Sequence, residues 1–318
     1  FWLPTGSRSW TAFRLASSGA MAALLRRQSR LALLARAVGR SAPDRRLSGS
    51  ARSRPVRFAL VDIDGTAANA DAPIPGAAAA LERLRSSVDG FRFVTNQSQE
   101  TSSVTFSRLQ SFGLAADRRE VFGSLAAARR IVEAGGLRPL LLLTPEALEE
   151  FEGMPAHEPN AVVVGTAPEH FHYESLTLAM RALQADPGSQ LIAVNKGRYY
   201  RRADGLAMMA GPFVAALEYA TGKTATVAGK PSPSFFHAAV RDAGAAEQPS
   251  EELLSQCVMI GDDALDDVQG AMDAGIPAIL VRTGKYRPGD EERCRTPPLA
   301  VVDSLPEAVD LLCSKGLP

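Results

Sequence analysis

A short apolar segment that ends in two aspartates constrains this chain more than any other feature. The segment reads Phe58-Ala59-Leu60-Val61-Asp62-Ile63-Asp64-Gly65-Thr66. Because its apolar residues would cover both faces of an extended backbone, it predicts a buried strand of a parallel sheet. Ligands of such sheets bind beyond the carboxyl ends of the strands. The sequence therefore places Asp62 and Asp64 where chemistry would occur.

The two aspartates suit different roles, because side chains alternate in direction along an extended backbone. An ionised carboxylate is a competent nucleophile at neutral pH. Its neighbour could bind a hard cation through its backbone and act as an acid or base through its side chain. A calcium loop is a weaker interpretation, since residues 67–73 lack its ligand pattern. A plain Asp-Gly-Thr turn is the open alternative.

A second apolar run, Phe91-Arg92-Phe93-Val94-Thr95-Asn96, ends in a hydroxyl and an amide. Such groups suit a phosphate or another oxyanion, together with nearby backbone N–H donors. The alternative is an ordinary helix cap, in which Thr95 or Ser98 begins a helix that continues from about Glu100.

A lysine and a cluster of acids follow two later strands. Lys230 lies between glycine and proline in the segment 226–231, where it could neutralise charge on a phosphoryl group. A solvated surface lysine is the alternative. The segment 257–268 contains four aspartates, which repel one another unless a cation is present. Favourable placement at a helix N-terminus is the alternative for Asp263 and Asp266.

Taken in order, these segments resemble the haloacid dehalogenase-like hydrolase superfamily. The resemblance covers the chain from about Val56 onward. Other segments, including 159–165 and 198–200, resemble one group of that superfamily, the haloacid dehalogenase-like hydrolase domain-containing protein 2 group, whose relatives include the phospholysine phosphohistidine inorganic pyrophosphate phosphatase. The superfamily's motifs match Asp62-Ile63-Asp64-Gly65-Thr66, Thr95-Asn96, Gly229-Lys230-Pro231 and Gly261-Asp262-Asp263 with Asp267.

The resemblance implies an α/β fold, with a Rossmann-like doubly wound parallel-sheet core and a large inserted α/β cap domain. Residues 55–136 and 225–318 would form the core, and residues 137–224 the cap. The alternation of apolar and helical segments between the second and third motifs independently favours a second sheet there.

The resemblance also implies a Mg²⁺-dependent phosphatase that works through an aspartyl-phosphate. In this scheme Asp62 attacks phosphorus, and Asp64 protonates the leaving group before it activates water. The remaining roles are phosphate binding by Thr95, Asn96 and Lys230, metal binding by Asp62, Asp64 and Asp262, and support of the metal's ligands by Asp263 and Asp267. Asp267 could also reach the metal through water.

Two other functions stay open. One is a catalytically weak regulatory or binding protein that retains the hydrolase fold, which the intact acidic set disfavours. The other is phosphoryl transfer to a sugar hydroxyl, which the resemblance pairs with a small helical cap. The resemblance also associates the second aspartate with phosphoryl substrates rather than haloacids. Small phosphorylated metabolites, pyrophosphate and phospho-amino acids are the candidate substrates.

A basic, aromatic segment after a cap strand is a candidate substrate loop. The alternatives are a solvated loop or a contact with a second subunit, which would make the protein a homodimer through the cap. The residues concerned are Arg198, Tyr199, Tyr200 and Arg201.

The composition argues against nucleic acid and membranes as binding partners. Thirty-five basic and 35 acidic residues give a formal net charge of zero, which removes any global electrostatic case for nucleic acid. No apolar run approaches the length of a membrane-spanning helix, so we expect no membrane partner. The three cysteines show no metal-binding spacing and suit a reducing compartment.

The first 54 residues differ in composition from the rest. They are rich in arginine, leucine and serine and carry no acid before Asp44. This composition is typical of a mitochondrial transit peptide and predicts a mitochondrial protein, or otherwise a cytoplasmic one. A translated leader or a disordered tail is the alternative.

Overall fold

The computed structural model describes residues 55–69, 71–115, 117–202, 204–246 and 248–317, with the backbone alone at 201 and 202. The predicted N-terminal extension, residues 1–54, lies outside this range. The strands are β1 (Phe58–Asp62), β2 (Gly90–Thr95), β3 (Val121–Gly123), β4 (Pro139–Leu142), β5 (Ala161–Val164), β6 (Gln190–Ala193), β7 (Tyr199–Arg202), β8 (Gly205–Met208), β9 (Thr226–Val227), β10 (Cys257–Gly261), β11 (Ala278–Val281) and β12 (Ala300–Val302).

Helices alternate with these strands along most of the chain. The α-helices are α1 (Ala77–Ser87), α2 (Ser102–Ser111), α3 (Ser124–Ala134), α4 (Pro145–Leu148), α5 (Tyr173–Ala185), α6 (Gly211–Thr221), α7 (Pro233–Asp242), α8 (Glu251–Leu254), α9 (Gly270–Asp273) and α10 (Leu305–Lys315). A π-helix spans Ala264–Gln269, directly before α9.

The larger sheet has the strand order β12-β11-β10-β1-β2-β3, and its pairings are parallel. Along β1, Phe58 and Leu60 lie in one apolar cluster, while Ala59 and Val61 lie in another. This alternation places apolar side chains on both faces of the sheet, where helices cover them. The predicted α/β doubly wound core is confirmed.

The direction of winding reverses between β1 and β10. From β1 the sheet continues through β2 to β3 on one side, and from β10 through β11 to β12 on the other. A crevice opens at such a switch point, beyond the carboxyl ends of the two strands. Asp62 ends β1 and Gly261 ends β10, so the two acidic motifs meet at this crevice.

A second parallel sheet, β4-β5-β6-β9, forms the inserted α/β module. Helices α5 and α6 cover one face of it through a separate apolar cluster that includes Leu183 and Val214. Strand β9 belongs to this sheet, although the sequence assigns residues 225 onward to the core. Pairing with β6 draws Thr226–Val227 into the second sheet, and the chain returns to the core immediately afterwards.

The other face of the second sheet packs toward the core. Val163 of β5 and Ile192 of β6 share an apolar cluster with Leu125 and Val132 of helix α3. Because these residues are buried in one continuous cluster, the second sheet is held against the first by apolar contact as well as by the connecting chain.

The prediction that the candidate substrate residues form a loop is wrong for Tyr199 and the residues after it. Tyr199–Arg202 is a strand, and it pairs with Gly205–Met208 as an antiparallel hairpin. A loop was expected because the segment is basic and follows a cap strand. Its identity as a strand depends on pairing with Gly205–Met208, which the local sequence does not reveal. Within the described ranges, no helix is both long and apolar enough to cross a membrane.

Candidate active site

Three buried carboxylates meet beyond the carboxyl ends of β1 and β10. Asp62, Asp262 and Asp267 each offer an oxygen, and these oxygens lie within 4.8 Å of one another. The parallel pairing of β1 with β10 brings Asp62 beside the chain that leaves β10. The structure therefore brings together the first and fourth motifs.

The π-helix explains how Asp267 reaches the cluster. A π-turn adds one residue to each turn, so it shifts later side chains relative to an α-helix. Asp267 turns back to accept a hydrogen bond from the Asp263 backbone N–H at 3.1 Å. Gly261 permits this approach, because a Cβ there would overlap the Asp267 carboxylate.

Lys230 connects the acids. Its Nζ donates a hydrogen bond to Asp62 Oδ1 and lies 2.7 Å from Asp267 Oδ1. The contact with Asp267 is an ion pair outside hydrogen-bond geometry. The ammonium also reaches the Val94 carbonyl oxygen, at 3.4 Å. Since the lysine is 4% exposed, the sequence-based alternative of a solvated surface lysine is wrong.

Asn96 holds the backbone of Lys230, a contact that the sequence did not predict. Its Oδ1 accepts from the Lys230 backbone N–H at 2.8 Å, and its Nδ2 donates to the Lys230 carbonyl oxygen at 2.9 Å. Both ends of the amide thus contact the backbone of the lysine, so this side chain positions Lys230. Its predicted contact with phosphate stays a prediction. Gly229 allows the close approach, because a Cβ there would overlap Asn96 Oδ1.

Thr95 is the buried last residue of β2, close to the same crevice. Its Oγ1 accepts a hydrogen bond from the Gln97 N–H at 3.0 Å, which leaves the hydroxyl proton available for an acceptor. The helix that follows is capped by Thr101 and not by Thr95 or Ser98. The capping alternative for Thr95 is therefore wrong, and its role as a phosphate donor stays a prediction.

Burial dominates the acid–base behaviour of the cluster. It raises the pKa of Asp62 to about 6, although the charge of Lys230 opposes the shift. Burial, with the charge of Asp267, raises the pKa of Asp262 to about 7. Burial, with the charge of Asp62, raises the pKa of Asp267 to about 6. For Lys230 burial acts downward, but the charges of Asp267 and Asp62 outweigh it and raise its pKa. The charges of Lys230 and Lys285, which both act to lower the pKa of these acids, therefore do not offset the burial of three carboxylates.

The cluster fits a hard divalent cation. Asp262 Oδ1 is buried without a hydrogen-bond partner, so a ligand-capable oxygen is left unsatisfied inside the site. All three side chains offer carboxylate oxygens, which Mg²⁺ prefers. The charge of such a cation would also favour the ionised forms of the acids, whose pKa values burial and mutual repulsion raise.

Asp64 lies apart from the buried cluster. Its side chain is 49% exposed, and its Oδ1 accepts a hydrogen bond from Arg108 Nη1 at 3.0 Å. Gly65 follows in a left-handed conformation, with φ of 97°. The turn carries Asp64 out of the sheet to the edge of the crevice. Of the predicted metal ligands, the buried cluster includes the side chains of Asp62 and Asp262 but not that of Asp64.

Asp263 behaves as a helix cap. Its Oδ1 accepts from the backbone N–H groups of Leu265 and Asp266, both at 3.0 Å. This matches the alternative of favourable placement at a helix N-terminus. Its other oxygen, Oδ2, lies 3.7 Å from Lys285 Nζ. The predicted role of Asp263 in supporting a metal site stays a prediction.

The turn after β11 supplies contacts that the sequence did not assign. The Lys285 backbone N–H donates to Asp262 Oδ2 at 2.5 Å. Gly284 has a φ of 55° and lies close to both Gly65 and Asp262, so a Cβ at this position would overlap both residues. The signal was present as Thr283-Gly284-Lys285-Tyr286 after an apolar strand, but only the fold shows that this turn closes over Asp262. Arg108 was missed because nothing in the sequence pairs it with Asp64.

The predicted substrate residues precede or lie within the hairpin. Arg198 and Tyr199 are exposed and Tyr200 is half-buried, while the Arg201 side chain lies outside the described residues. Lys196, beside them, is paired with Glu218 at 2.8 Å. The hairpin therefore presents exposed side chains, and its contact with a substrate stays a prediction.

Family models match both parts of the core. Residues 59–155 match the family described as haloacid dehalogenase-like hydrolase, and residues 227–308 match a related family described as HAD-hydrolase-like. The matched ranges contain the strand ends that bear Asp62, Thr95, Lys230 and Asp262.

Similar proteins span nearly the same length. The human haloacid dehalogenase-like hydrolase domain-containing protein 2 is 48% identical over 260 residues, which cover 82% of this chain and 97% of that protein. The human phospholysine phosphohistidine inorganic pyrophosphate phosphatase is 40% identical over 261 residues, which cover 81% and 94%. A solved 4-nitrophenylphosphatase from Thermotoga maritima is 30% identical with a TM-score of 0.70, over 80% of this chain and 97% of that one. The chain belongs to the haloacid dehalogenase-like hydrolase family.

Proposed function

We propose that the protein is a Mg²⁺-dependent phosphatase that hydrolyses its substrate through an aspartyl-phosphate at Asp62. The observation that carries the proposal is the convergence of Asp62, Lys230, Asp262 and Asp267 at the switch point of the sheet. A buried carboxylate paired with a lysine, beside an unsatisfied carboxylate oxygen, supplies a nucleophile, a fixed cation and a place for a metal. Relatives named as phosphatases support the reaction class.

The first half-reaction forms a bond between an Asp62 carboxylate oxygen and phosphorus. The phosphorus–oxygen bond to the leaving group breaks as the new bond forms, and Asp64 gives a proton to the departing oxygen. In the second half-reaction water attacks the phosphorus of the aspartyl-phosphate. Asp64 takes the proton of that water, and Asp62 is released as its carboxylate.

Positioning and charge carry most of this chemistry. Lys230 fixes Asp62 and balances its charge, and Asn96 holds the lysine backbone in place. The Thr95 hydroxyl would donate to a phosphoryl oxygen. When bound, Mg²⁺ would supply positive charge between the nucleophile and the phosphoryl oxygens, held by Asp62, Asp262 and the Asp64 backbone carbonyl.

The substrate is proposed as a small phosphorylated metabolite, pyrophosphate or a phospho-amino acid. The two human relatives differ in what their names say, and one is named for phospholysine, phosphohistidine and pyrophosphate. A panel of these classes, compared by kcat/KM at saturating Mg²⁺, would rank them. A marked preference for one class would identify the substrate group that the cap selects.

The direct test is turnover of an aryl phosphate by the purified chain. We expect activity with Mg²⁺, its loss on addition of EDTA, and near-abolition in Asp62→Asn, which keeps the size of the side chain but removes its nucleophilic oxygen. Ample activity in Asp62→Asn would refute the assigned nucleophile. Absence of wild-type turnover across the whole panel would favour a binding protein that retains the fold.

Two proposals concern the setting of the protein. Mitochondrial import rests on the composition of residues 1–54, and an unprocessed, wholly cytosolic full-length protein would refute it.

A homodimer through the cap rests on the exposed side chains of Tyr199, Leu206 and Met208 on the hairpin. Analytical ultracentrifugation would test it, and a monomer at tens of micromolar protein would count against it.

A further inference from the structure

The side chain of Asp64, the acid/base residue proposed above, accepts one hydrogen bond from the described residues, and the donor lies outside the matched motifs. Asp64 extends toward solvent, whereas Asp62 is 9% exposed at the side chain. An exposed aspartate at the start of a glycine-containing turn has rotational freedom unless another group restrains it. Arg108 supplies such a restraint through its hydrogen bond at 3.0 Å.

The position of Arg108 suits this purpose. It lies on helix α2, which begins just after the loop that follows Thr95. The helix is anchored by the Thr101 cap and by buried Leu109, the neighbour of Arg108. The side chain of Arg108 is itself 23% exposed, so its stem is largely packed. A rigid helix therefore carries the guanidinium to the edge of the crevice.

The contact engages only half of the carboxyl group. Arg108 Nη1 donates to Oδ1 of Asp64, and in the described part of the chain no hydrogen bond or ion pair holds Oδ2. A single-oxygen contact fixes the direction of the carboxyl plane and leaves the second oxygen available. Arginine suits this task, because its planar guanidinium stays charged at every relevant pH.

We propose that Arg108 is a positioning residue that orients Asp64 so that its second oxygen serves the leaving group and then the attacking water. The inference rests on the proposed phosphatase function. It differs from direct substrate binding by Arg108, in which the guanidinium would act on the phosphoryl group whatever Asp64 does. It also differs from an ordinary exposed ion pair, which would have little effect on the reaction.

Leaving-group dependence separates these roles. A p-nitrophenolate departs with little help from a proton, whereas an alkoxide from glycerol phosphate needs one. The ratio kcat/KM reports steps through departure of the leaving group, so hydrolysis of the aspartyl-phosphate does not enter. For Arg108→Ala we expect a loss of kcat/KM of at least about tenfold with glycerol phosphate and less than about threefold with p-nitrophenyl phosphate.

Three further variants make the test specific. Arg108→Lys should recover part of the loss with glycerol phosphate. In an Asp64→Asn background Arg108→Ala should cause little additional loss, because the residue through which it acts is already disabled. Arg83→Ala is the matched control, since Arg83 pairs with Asp310 on the exposed surface of helices α1 and α10. Thermal unfolding of each variant checks that the fold is retained.

The outcomes discriminate clearly. Equal losses for both leaving groups, or a loss that persists undiminished in Asp64→Asn, would overturn the inference in favour of direct substrate contact. Unchanged kcat/KM with glycerol phosphate in Arg108→Ala would overturn it in favour of a surface ion pair. If wild-type protein hydrolyses neither compound, the proposed function fails first and the inference falls with it, and that result is visible before any variant is compared.

Discussion

At the scale of single residues, the site depends on an imbalance of buried charge. Lys230 is the cation in direct contact with Asp62 and Asp267. Burial raises the pKa of these acids because the ionised form loses hydration, and the charges of Lys230 and Lys285 do not make up for that loss. The apo site therefore holds excess negative charge at neutral pH, and this is the electrostatic condition that favours a divalent ion.

Replacement of Lys230 by alanine should lower kcat by roughly 10²- to 10³-fold, because a preorganised charge at the nucleophile is lost. Steady-state kinetics at saturating Mg²⁺ measures the effect. Lys315→Ala, at an exposed position in the last turn of α10, is the control and should retain full activity. An unchanged kcat in Lys230→Ala would contradict the assigned role.

The raised pKa values also set the sign of a pH effect. The three acids have folded pKa values of about 6 to 7, above the ordinary aspartate value of 3.8. Between about pH 4 and pH 7 the folded state therefore binds more protons than the unfolded state, and the free energy of unfolding falls as pH rises. Lys230 stays charged in both states across this window and adds no slope.

We expect urea unfolding of the metal-free protein to show that slope, and Asp262→Asn to reduce it by up to about 1.4 kcal/mol per pH unit. The variant isolates this residue from other titrating groups. Mg²⁺ should stabilise the wild type more at pH 7 than at pH 5, because protons compete with the ion for the same oxygens. Identical slopes for wild type and Asp262→Asn would contradict the account.

At the scale of elements, two turns close on one carboxylate. The turn after β1 contains Gly65 and the turn after β11 contains Gly284, and a Cβ at either glycine would overlap Asp262. Both have positive φ, which glycine adopts without cost. The turns therefore fix the orientation of Asp262 from outside the acidic cluster.

Gly284→Ala should accordingly weaken Mg²⁺ activation by about tenfold or more, as loss of an orienting contact does at metal sites. The concentration of Mg²⁺ for half-maximal activity measures this. Gly289→Ala is a matched control, because Gly289 also has positive φ, 91°, but a Cβ there meets nothing within 4 Å. If both variants change Mg²⁺ activation equally, backbone strain and not contact with Asp262 is the cause.

Sequence patterns predicted the elements whose signal is local. The runs that contain β1, β2 and β10 are short, largely apolar and followed or ended by polar residues, so they were recognised with their strand ends. The β7–β8 hairpin was missed because its identity depends on pairing between Tyr199–Arg202 and Gly205–Met208. The π-helix was not predicted either, since no local residue pattern distinguishes its hydrogen bonding from that of an α-helix.

The same distinction holds within the site. Asp62, Lys230 and Asp262 each follow a recognisable strand, and the fold alone adds that they touch. The sequence predicts that Asn96 binds phosphate, because amides bind oxyanions. The fold adds that its amide forms hydrogen bonds with both the N–H and the carbonyl oxygen of Lys230. No sequence pattern marks Arg108 as a site residue, because it lies on a helix 44 residues after Asp64 and only the fold brings the two side chains together.

At the scale of the whole molecule, the second sheet is joined to the core around one buried serine. Ser98 Oγ accepts from Asn195 Nδ2 at 2.8 Å and from the Thr166 backbone N–H at 3.3 Å. Thr144 Oγ1 donates to the Gln99 carbonyl oxygen at 2.9 Å. The loop that follows Thr95 is thus held by residues just beyond the carboxyl ends of β4, β5 and β6.

A double-mutant cycle on Ser98→Ala and Asn195→Ala should show coupling of about 1 kcal/mol in the free energy of unfolding, with each single change costing about 1–3 kcal/mol. The reason is that either change leaves a buried polar group without its partner. Ser86→Ala, which removes an exposed hydroxyl bonded to its own helix, should cost far less. Strictly additive single effects would contradict a direct interaction between the two side chains.

In the proposed mechanism the phosphoryl group passes through the Asp62 carboxylate. The most direct measurement is acid quenching of the enzyme during steady-state turnover, followed by peptide mapping by mass spectrometry. We predict one phosphoryl group on the peptide that contains Asp62, absent in Asp62→Asn and labile to base as an acyl phosphate is. A turning-over enzyme that carries no phosphoryl group, or carries it on another residue, would contradict this mechanism.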